Sequence, residues 1–194
     1  MKKLIITLFV LITSFTANAK EYNGNEVKDC SQNAIFMFCD LEGEPITGVV
    51  KSYYENGNLE AEGNFKDGKQ EGLGKSYYDN GNLEAEGNFK DGKLEGLGKE
   101  YYENGNLKGE KNYKDGKLEG LSKAYYDNGN LKAEVNFKDD KPEGLFKVYY
   151  ENGNLGVEIN FKDGKAVSGY MYDIDGEKKE MTNAHLHNMT KNLK

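Results

Sequence analysis

The chain has 194 residues, of which 33 are acidic and 26 are basic, and its formal net charge is −7. Every basic residue is a lysine, which argues against nucleic acid as a partner, because nucleic acid is bound by basic clusters and is often read by arginine. Hydrophobic residues make up only 37% of the chain and glycine occurs 24 times, which favours a thin sheet of stacked repeats over one thick core.

The first 19 residues have the pattern of a signal peptide. Lys2 and Lys3 precede an apolar stretch, and Ala17-Asn18-Ala19 forms a small-residue cleavage signal. The stretch of roughly 12 residues is short for a bilayer-spanning helix, although a retained N-terminal anchor is the alternative interpretation. Cleavage would leave 175 residues (194 − 19) and a net charge of −9 (24 − 33). We therefore expect export to the periplasm, the cell surface or the medium, without membrane insertion of the mature protein.

Residues 20–50 are expected to form an N-terminal cap. The only cysteines are Cys30 and Cys39, and in an oxidising compartment an even pair usually forms a disulfide. Such a bridge would contribute about 2–3 kcal/mol by constraining the unfolded chain. A metal site is disfavoured, because two thiols are too few ligands and no others lie nearby. The segment from Ile35 to Gly48 resembles a degenerate half-repeat.

A unit of 24 residues recurs five times in residues 51–165. Each copy begins with two tyrosines, continues into Asn-Gly-Asn-Leu and reaches Asn-Phe-Lys-Asp-Gly-Lys or a close variant, which indicates a repeat architecture. Asn80-Gly81 and Asp91-Gly92 each predict a two-residue type I′ turn, because both positions tolerate positive φ. Strands of about eight residues connect these turns, so the unit is predicted to be one β-hairpin, and turns every dozen residues exclude a helix.

The alternation of side chains along these strands predicts a sheet with two unlike faces. Tyr78 is expected to pair with Leu83, which places Leu83, Phe89 and the second tyrosine of each pair on an apolar face. The other face carries charged residues such as Glu86 and Lys99, together with a leucine and the first tyrosine of each repeat. The partner-binding stripe predicted on this second face consists of Tyr53, Tyr77, Tyr101, Tyr125, Tyr149, Leu73, Leu97, Leu121 and Leu145. Tyrosine is enriched in binding hot spots, although cross-strand support within the sheet is the alternative explanation for its recurrence.

Residues 166–194 are expected to form a degenerate C-terminal repeat and a tail. Tyr170 to Gly176 resembles a sixth tyrosine hairpin. Beyond it, Met181, His185, Met189 and Leu193 have helical spacing, which predicts a short helix over the last strand or else an unstructured tail. His185 and His187 diverge on a helix and lack a third ligand, so no metal site is expected.

The pattern Tyr-Tyr-x-Asn-Gly-x-Leu, followed by an aromatic residue and Asp-Gly-Lys-x-x-Gly, resembles the MORN repeat variant of bacterial proteins labelled as the YwqK-like antitoxin family. The resemblance covers Lys51 to Lys165 and implies an all-β, open, single-layer antiparallel meander of hairpins with degenerate caps. It also implies roles in scaffolding, protein contact or lipid association. The fourth repeat departs from the pattern, because Asp139-Asp140 replaces Asp-Gly, and we expect this to weaken one turn.

These patterns favour a non-enzymatic binding module without a cofactor. Pairs such as Glu60 with Glu62 and Glu84 with Glu86 could suit carboxylate chemistry, but they recur from repeat to repeat as a solvated face does. The leading prediction is an exported scaffold that binds a protein partner and is surface-associated or adhesive. The alternatives are an antitoxin or immunity protein that neutralises a partner, a glycan-binding protein and a lipid-binding protein. The negative charge argues against the last of these.

Overall fold

The computed structural model describes residues 20–30 and 37–192, so the predicted signal peptide lies outside the described residues. The chain forms two compact units that divide between Gly105 and Asn106. Each unit is an open antiparallel meander of β-hairpins, and one short helix lies at the C-terminal end, which confirms the predicted fold class. Within the described residues, no helix combines the length and hydropathy that crossing a bilayer requires.

The first unit is a sheet of sequential hairpins preceded by a cap. Its strands are β1 (Lys20–Asn23), β2 (Val27–Asp29), β3 (Phe38–Asp40), β4 (Gly48–Tyr53), β5 (Leu59–Lys66), β6 (Lys69–Tyr77), β7 (Leu83–Lys90), β8 (Lys93–Leu94) and β9 (Gly96–Tyr101). The sheet order is β1-β4-β5-β6-β7-β9, with β8 also pairing with β7. From β4 onward neighbouring strands are antiparallel, whereas β1 pairs with β4 in parallel. The sequence pattern did not predict β1, because its four residues belong to no repeat.

The second unit continues the same hairpin pattern and ends in a helix. Its elements are β10 (Leu107–Lys114), β11 (Lys117–Tyr125), β12 (Leu131–Lys138), β13 (Lys141–Tyr149), β14 (Leu155–Lys162), β15 (Lys165–Tyr172), β16 (Lys178–Glu180) and α1 (Asn183–Asn192). Strands β10 to β16 pair in chain order, and neighbouring strands are antiparallel. The turn before β16 reproduces the repeat turn, because Gly176 N–H donates to the carbonyl of Asp173 and has a φ of 84°.

The Asn-Gly turns differ from the prediction. Of the pair Asn80-Gly81, only the glycine has positive φ, at 86°, so the turn is not type I′. Gly81 N–H donates to the carbonyl of Tyr78, and Tyr78 N–H donates to the carbonyl of Asn82, which closes a three-residue loop. A bulge follows, and Leu83 pairs with Tyr77 rather than with Tyr78. The predicted pairing was therefore wrong, because a three-residue loop with a left-handed glycine competes with the two-residue turn for the same sequence.

The Asp-Gly turns agree with the prediction. Asp91 and Gly92 have φ values of 50° and 79°, and the flanking lysines pair directly, as a two-residue type I′ turn requires. The expected weak turn keeps this conformation, with Asp139 at φ 48° and Asp140 at φ 63°. The fourth residue after each of the turns at residues 67–68, 91–92, 115–116 and 139–140 is a glycine with positive φ, and the strand has a bulge there. In the bulge after β8, Glu95 N–H donates to the carbonyl of Asn88, and Gly96 has a φ of 79°.

The N-terminal cap packs on the alanine and phenylalanine side of the first sheet. Its core consists of Tyr22, Ile46, Val50, Ala61 and Phe65, with Val27 and Phe38 packed against it. The rings of Phe38 and Phe65 meet edge to face at 5.4 Å. Strands β2 and β3 pair only with each other, so the described part of the predicted half-repeat at residues 35–48 does not continue the main sheet. The predicted disulfide between Cys30 and Cys39 is present beside this hairpin.

The C-terminal helix packs on the corresponding side of the second sheet. Met181 and Leu186 are buried against Ile159 and Phe161. The helix also seals the edge of β15, because the hydroxyl of Thr190 accepts the backbone N–H of Ala166. The helix was expected, and of the residues whose spacing predicted it Met181 and Met189 pack in this cluster. His185 is exposed, and Leu186, which that spacing did not include, is buried.

Candidate interaction face

The sheet face opposite the two caps carries an alternating row of lysines and glutamates, here called the Lys–Glu row. In the first unit the register places Lys51, Glu62, Lys75, Glu86 and Lys99 in successive cross-strand pairs. In the second unit the row contains Glu110, Lys123, Glu134, Lys147 and Glu158. Opposite charges face each other across every one of these strand pairs, which stabilises the pairing and leaves the row close to electrically neutral.

Ion pairs form within the row of the second unit. The lysine nitrogen of Lys123 lies 3.7 Å from Oε1 of Glu110, and that of Lys147 lies 3.5 Å from Oε1 of Glu134. In the first unit, Lys51 instead reaches Glu21 of β1 at 2.9 Å, which ties the cap strand to the row. These pairs are partly exposed to solvent, which screens the charges, so each contributes little to stability.

From the second repeat to the fifth, the first tyrosine of the repeat borders this row and donates its hydroxyl to a glutamate of the preceding repeat. The donors Tyr77, Tyr101, Tyr125 and Tyr149 reach Glu62, Glu86, Glu110 and Glu134 at 2.9 to 3.0 Å. Burial, then the hydrogen bond to Glu86 and the charge of Glu86, raise the pKa of Tyr101 to about 12. Burial also raises the pKa of Tyr77, where the bond to Glu62 adds to the effect. The hydroxyls of these four tyrosines are therefore used inside the sheet.

Tyr53 differs from the other first tyrosines of the repeats. It begins the series, 47% of it is exposed, and its hydroxyl has no hydrogen-bond partner among the described residues. The position that would supply a glutamate, fifteen residues earlier, is Phe38 of the cap. Of the tyrosines in the predicted stripe, Tyr53 presents the largest surface to solvent.

The second tyrosine of each pair also joins neighbouring repeats. The hydroxyls of Tyr54, Tyr78, Tyr126 and Tyr150 donate to the backbone carbonyls of Tyr77, Tyr101, Tyr149 and Tyr172 at 2.6 to 2.8 Å. The Lys132 nitrogen lies 5.3 Å from the ring centroid of Tyr126. The second tyrosine of each pair lies just beyond the end of its strand. Tyr78 was expected to pair with Leu83, but Leu83 pairs with Tyr77.

The leucines of the predicted stripe form a second row, here called the Leu–Asn row, on the same face. The register pairs Leu73 with Asn88, Leu121 with Asn136, and Leu145 with Asn160. These asparagines are exposed. The exposed fractions are 42% for Leu97, 39% for Leu121 and 43% for Leu145, while Leu73 is half-buried. In each unit, equivalent leucines of consecutive repeats lie two strands apart, at about 10 Å.

The structure brings the predicted tyrosine and leucine positions onto one face within each unit, beside the Lys–Glu row. Their role in binding a partner stays a prediction. The two residue types differ in exposure, however. Four of the five tyrosines are half-buried and their hydroxyls are hydrogen-bonded, whereas three of the four leucines are exposed. The leucines therefore offer more apolar surface that a partner could bury.

Two sets of polar side chains that join consecutive repeats were missed. At the tight turns, the carboxylates of Glu71, Glu119 and Glu143 accept the backbone N–H of Asp91, Asp139 and Asp163. At the opposite end of the hairpins, Asn58, Asn82, Asn106 and Asn130 donate to a backbone carbonyl one repeat onward. The sequence contains these donor and acceptor residues at constant separations of 20 and 21 residues, which could have indicated the bonds. They were missed because a polar residue in a turn is normally explained by the conformation of the turn itself.

The charged face repeats one arrangement of polar side chains from repeat to repeat. Glu86 accepts a tyrosine hydroxyl and faces two lysines across the strands, and the same arrangement recurs in the other repeats. Such repetition supplies no single acid–base pair of unlike pKa. Across residues 20–30 and 37–192, no group of three or more His, Cys, Asp or Glu side chains is arranged to hold a metal ion.

Comparison with protein families gives one description of the repeats. The model of the MORN repeat variant matches residues 46–67, 70–91, 94–115, 118–139 and 142–163, which together make up more than half of the chain. Each matched segment contains one Asn-Gly turn and ends at the first residue of a tight turn, and the segments contain the tyrosines and leucines of the charged face. A search of the curated proteins gave no match.

Proposed function

Because the chain belongs to the family of the MORN repeat variant, whose repeats are commonly protein- or membrane-binding modules, we propose that it is an exported binding module that presents its exposed leucines to a protein partner. The module is non-catalytic in this proposal. The partner lies across the charged face, with apolar side chains against the Leu–Asn row.

The exposure of Leu97, Leu121 and Leu145 carries the proposal. A single exposed leucine is ordinary on a protein surface, but Leu121 and Leu145 are exposed at the same position of consecutive repeats within the second unit, and such apolar stripes mark contact surfaces. Leu97 is exposed at the equivalent position of the first unit. The neighbouring Lys–Glu row is internally paired, so it attracts neither a strongly acidic nor a strongly basic partner. Asn136 and Asn160 add hydrogen-bonding groups between and beside the leucines.

Two observations support export. The N-terminal 19 residues have the composition of a signal peptide, and Cys30 is bonded to Cys39. Disulfides persist in oxidising compartments and are rare in the cytosol. Surface attachment or adhesion is one use of such a module, and neutralisation of an exported effector is another. Both uses require a protein contact, so the first experiment addresses the contact itself.

The experiment compares three forms of the tagged mature protein in cross-linking capture from the envelope and medium of the source cells. They are the wild type, the triple variant Leu97→Ser/Leu121→Ser/Leu145→Ser, and the control Leu41→Ser. Leu41 is 65% exposed but lies in the N-terminal hairpin, away from the stripe. We expect the wild type and the control to recover the same partner and the triple variant to lose it. Recovery of that partner by the triple variant would contradict the proposal.

A lipid surface is tested alongside, since it is the other common target of such repeats. Vesicles of neutral lipid and vesicles that contain anionic lipid are sedimented with the wild type at low salt, where electrostatic attraction is strongest. We expect no co-sedimentation with either vesicle. Binding that depends on the three leucines would move the assignment of the face from protein to lipid.

A further inference from the structure

The five Asn-Gly loops carry a chemistry that binding does not use. They contain Asn56-Gly57, Asn80-Gly81, Asn104-Gly105, Asn128-Gly129 and Asn152-Gly153. In an Asn-Gly pair the backbone nitrogen of the glycine can attack the side-chain amide carbon of the asparagine. The new C–N bond closes a succinimide ring as ammonia leaves, and water then opens the ring to aspartate or isoaspartate. Glycine favours the reaction because it has no side chain to hinder the approach, and asparagine is accordingly a thermolabile residue.

The fold opposes this reaction in the same way in the first, second, fourth and fifth loops. In the fifth loop, Gly153 N–H donates to the carbonyl of Tyr150 at 2.9 Å, and Oδ1 of Asn152 accepts the N–H of Asn154 at 2.9 Å. The attacking nitrogen and the attacked side chain are thus held apart by separate hydrogen bonds. The first, second and fourth loops have the same two bonds. The reaction therefore requires that the loop open locally.

The loops differ in how firmly they are attached to the next repeat. In the first loop, Nδ2 of Asn56 and Nδ2 of Asn58 both donate to the carbonyl of Asp79, at 3.1 and 2.7 Å. In the second loop, Asn80 and Asn82 donate to the carbonyl of Glu103, at 3.4 and 2.6 Å. In each of these loops both asparagines resist opening.

The attachment weakens toward the C-terminal end of the series. In the fourth loop, Asn130 donates to the carbonyl of Glu151 at 2.7 Å, while Asn128 has no such bond within residues 20–30 and 37–192. In the fifth loop, neither Asn152 nor Asn154 donates its side-chain amide to any residue that the structure describes. The turn that would accept these amides is the sixth, from Asp173 to Gly176. It follows β15, which is one residue shorter than β6, β11 and β13, and no carbonyl of this turn accepts the side-chain amide of Asn152 or Asn154.

We propose that, among the five Asn-Gly loops of the repeats, Asn152 deamidates first in the folded protein, and that the order of reaction among these loops follows their side-chain bonds to the next repeat. Each opened loop loses one or two hydrogen bonds, and a hydrogen bond at this kind of site changes the population of the open form by about three- to tenfold. Because the first and second loops each have two such bonds and the fifth has none, Asn152 reacts about ten- to a hundredfold faster than Asn56 or Asn80 in the folded protein. Conversion adds one negative charge, and the isoaspartate product lengthens the backbone inside a loop closed by Gly153 and Tyr150.

The sequence allows the sites to be followed separately in one sample. Cleavage after lysine releases residues 52–66, 76–90, 100–108, 124–132 and 148–162, each with one Asn-Gly pair. The first two peptides are otherwise identical but differ at Glu55 and Asp79, so their masses are distinct. The folded, oxidised protein is incubated in ¹⁸O-labelled water at mildly alkaline pH and then digested briefly under acidic conditions. Tandem mass spectrometry measures the rate of conversion at each asparagine.

The expected result is that Asn152 converts first and that Asn56 and Asn80 convert last, while the same chain in concentrated urea converts at similar rates at all of these sites. Equal rates in the folded protein, or faster conversion at Asn56 or Asn80, would overturn the proposal. A matched pair of variants tests the cause. Asn82→Ala removes a bond to the next repeat and should accelerate Asn80, whereas Asn154→Ala removes no described bond and should leave Asn152 unchanged. Circular dichroism establishes that both variants are folded, and an unchanged rate at Asn80 in folded Asn82→Ala would contradict the proposed cause.

Discussion

The hydroxyl of Tyr101 donates a 2.9 Å hydrogen bond to Oε1 of Glu86, a residue of the preceding repeat, fifteen positions earlier. The backbone carbonyl of the same Tyr101 accepts the hydroxyl of Tyr78 at 2.6 Å. One tyrosine position thus joins its repeat to the repeat before it through both its side chain and its backbone. These two contacts give the recurring tyrosine pair a structural role in joining repeats, so the recurrence does not require that each tyrosine ring bind a partner.

Tyr101→Phe is predicted to lower the free energy of unfolding by about 1 kcal/mol, because it leaves a partly buried carboxylate without its neutral donor. The ring and the backbone bond from Tyr78 remain. Urea denaturation followed by circular dichroism measures the change. Tyr53→Phe is the matched control, since no hydrogen bond to the Tyr53 hydroxyl occurs within the described residues. Equal effects of the two substitutions would show that the bond to Glu86 contributes nothing measurable.

Alkaline pH is predicted to destabilise the sheet through the same tyrosines. Burial, hydrogen bonds to glutamate and the glutamate charges raise the pKa of Tyr101 and of Tyr125 from 10.0 to about 12. Because the folded state favours the neutral phenol, this stabilisation is complete below pH 10 and is lost as the pH rises from 10 to about 12. Thermal unfolding midpoints measured across this range should fall more steeply for the wild type than for the double variant Tyr101→Phe/Tyr125→Phe.

Ultraviolet titration provides an independent measurement of this effect. The folded protein should ionise a subset of its tyrosines only near pH 12, whereas the protein in urea should ionise all of them near pH 10. Superimposable titration curves in the two states would rule out the linkage between folding and tyrosine ionisation.

The disulfide is predicted to stabilise the N-terminal cap. Replacement of Cys30 and Cys39 by serine should cost about 2–3 kcal/mol, the entropy of closing a short loop in the unfolded chain. The loss should be local, because the bridge holds the β2–β3 hairpin, whose Phe38 packs on Phe65. Hydrogen exchange should therefore quicken in β2, β3 and β4 but not in β12 to β14. Uniform quickening across all repeats would show that the cap governs global rather than local stability.

Much of the fold followed from the repeat alone. The 24-residue period fixed the hairpin unit, and side-chain alternation placed Glu86, Lys99, Leu97 and Tyr101 on one face, as observed. These features depend only on local periodicity and on the pairing of adjacent strands. The Asp-Gly turns were predicted correctly for the same reason, since type I′ geometry is encoded in two residues.

The sequence did not determine features that depend on bulges or on distant segments. A three-residue loop and a bulge shift Tyr77 onto Leu83, and Asn-Gly alone does not distinguish this loop from a two-residue turn. The parallel pairing of β1 with β4 brings together residues 28 positions apart, and β1 belongs to no repeat. The exposure of the leucine stripe could not be read from alternation, because both faces contain large apolar side chains and only the caps decide which face is covered.

Leu186→Ala is predicted to destabilise the second unit by about 2–3 kcal/mol, because Leu186 is 8% exposed and packs in the cluster with Ile159 and Phe161. His187→Ala, an exposed neighbour on the same helix, is the control and should change stability by less than about 0.5 kcal/mol. Binding of a dye that fluoresces on apolar surface should increase for the leucine variant alone. Similar stability of the two variants would mean that the helix contributes little to covering the sheet.

Asp140→Ala is predicted to cost about 1–2 kcal/mol for two separate reasons. Asp140 has a φ of 63°, a conformation that alanine tolerates less well than aspartate, and its Oδ1 accepts the N–H of Leu118 at 2.8 Å. Asp140→Gly removes the same hydrogen bond but relieves the backbone, so it should cost less than the alanine variant and restore the Asp-Gly turn of the other repeats. The difference between the two free energies of unfolding measures the conformational cost of the left-handed position, and the difference between Asp140→Gly and the wild type mainly reports the bond to Leu118. If glycine were as destabilising as alanine, the hydrogen bond rather than the backbone would explain why this repeat retains its turn.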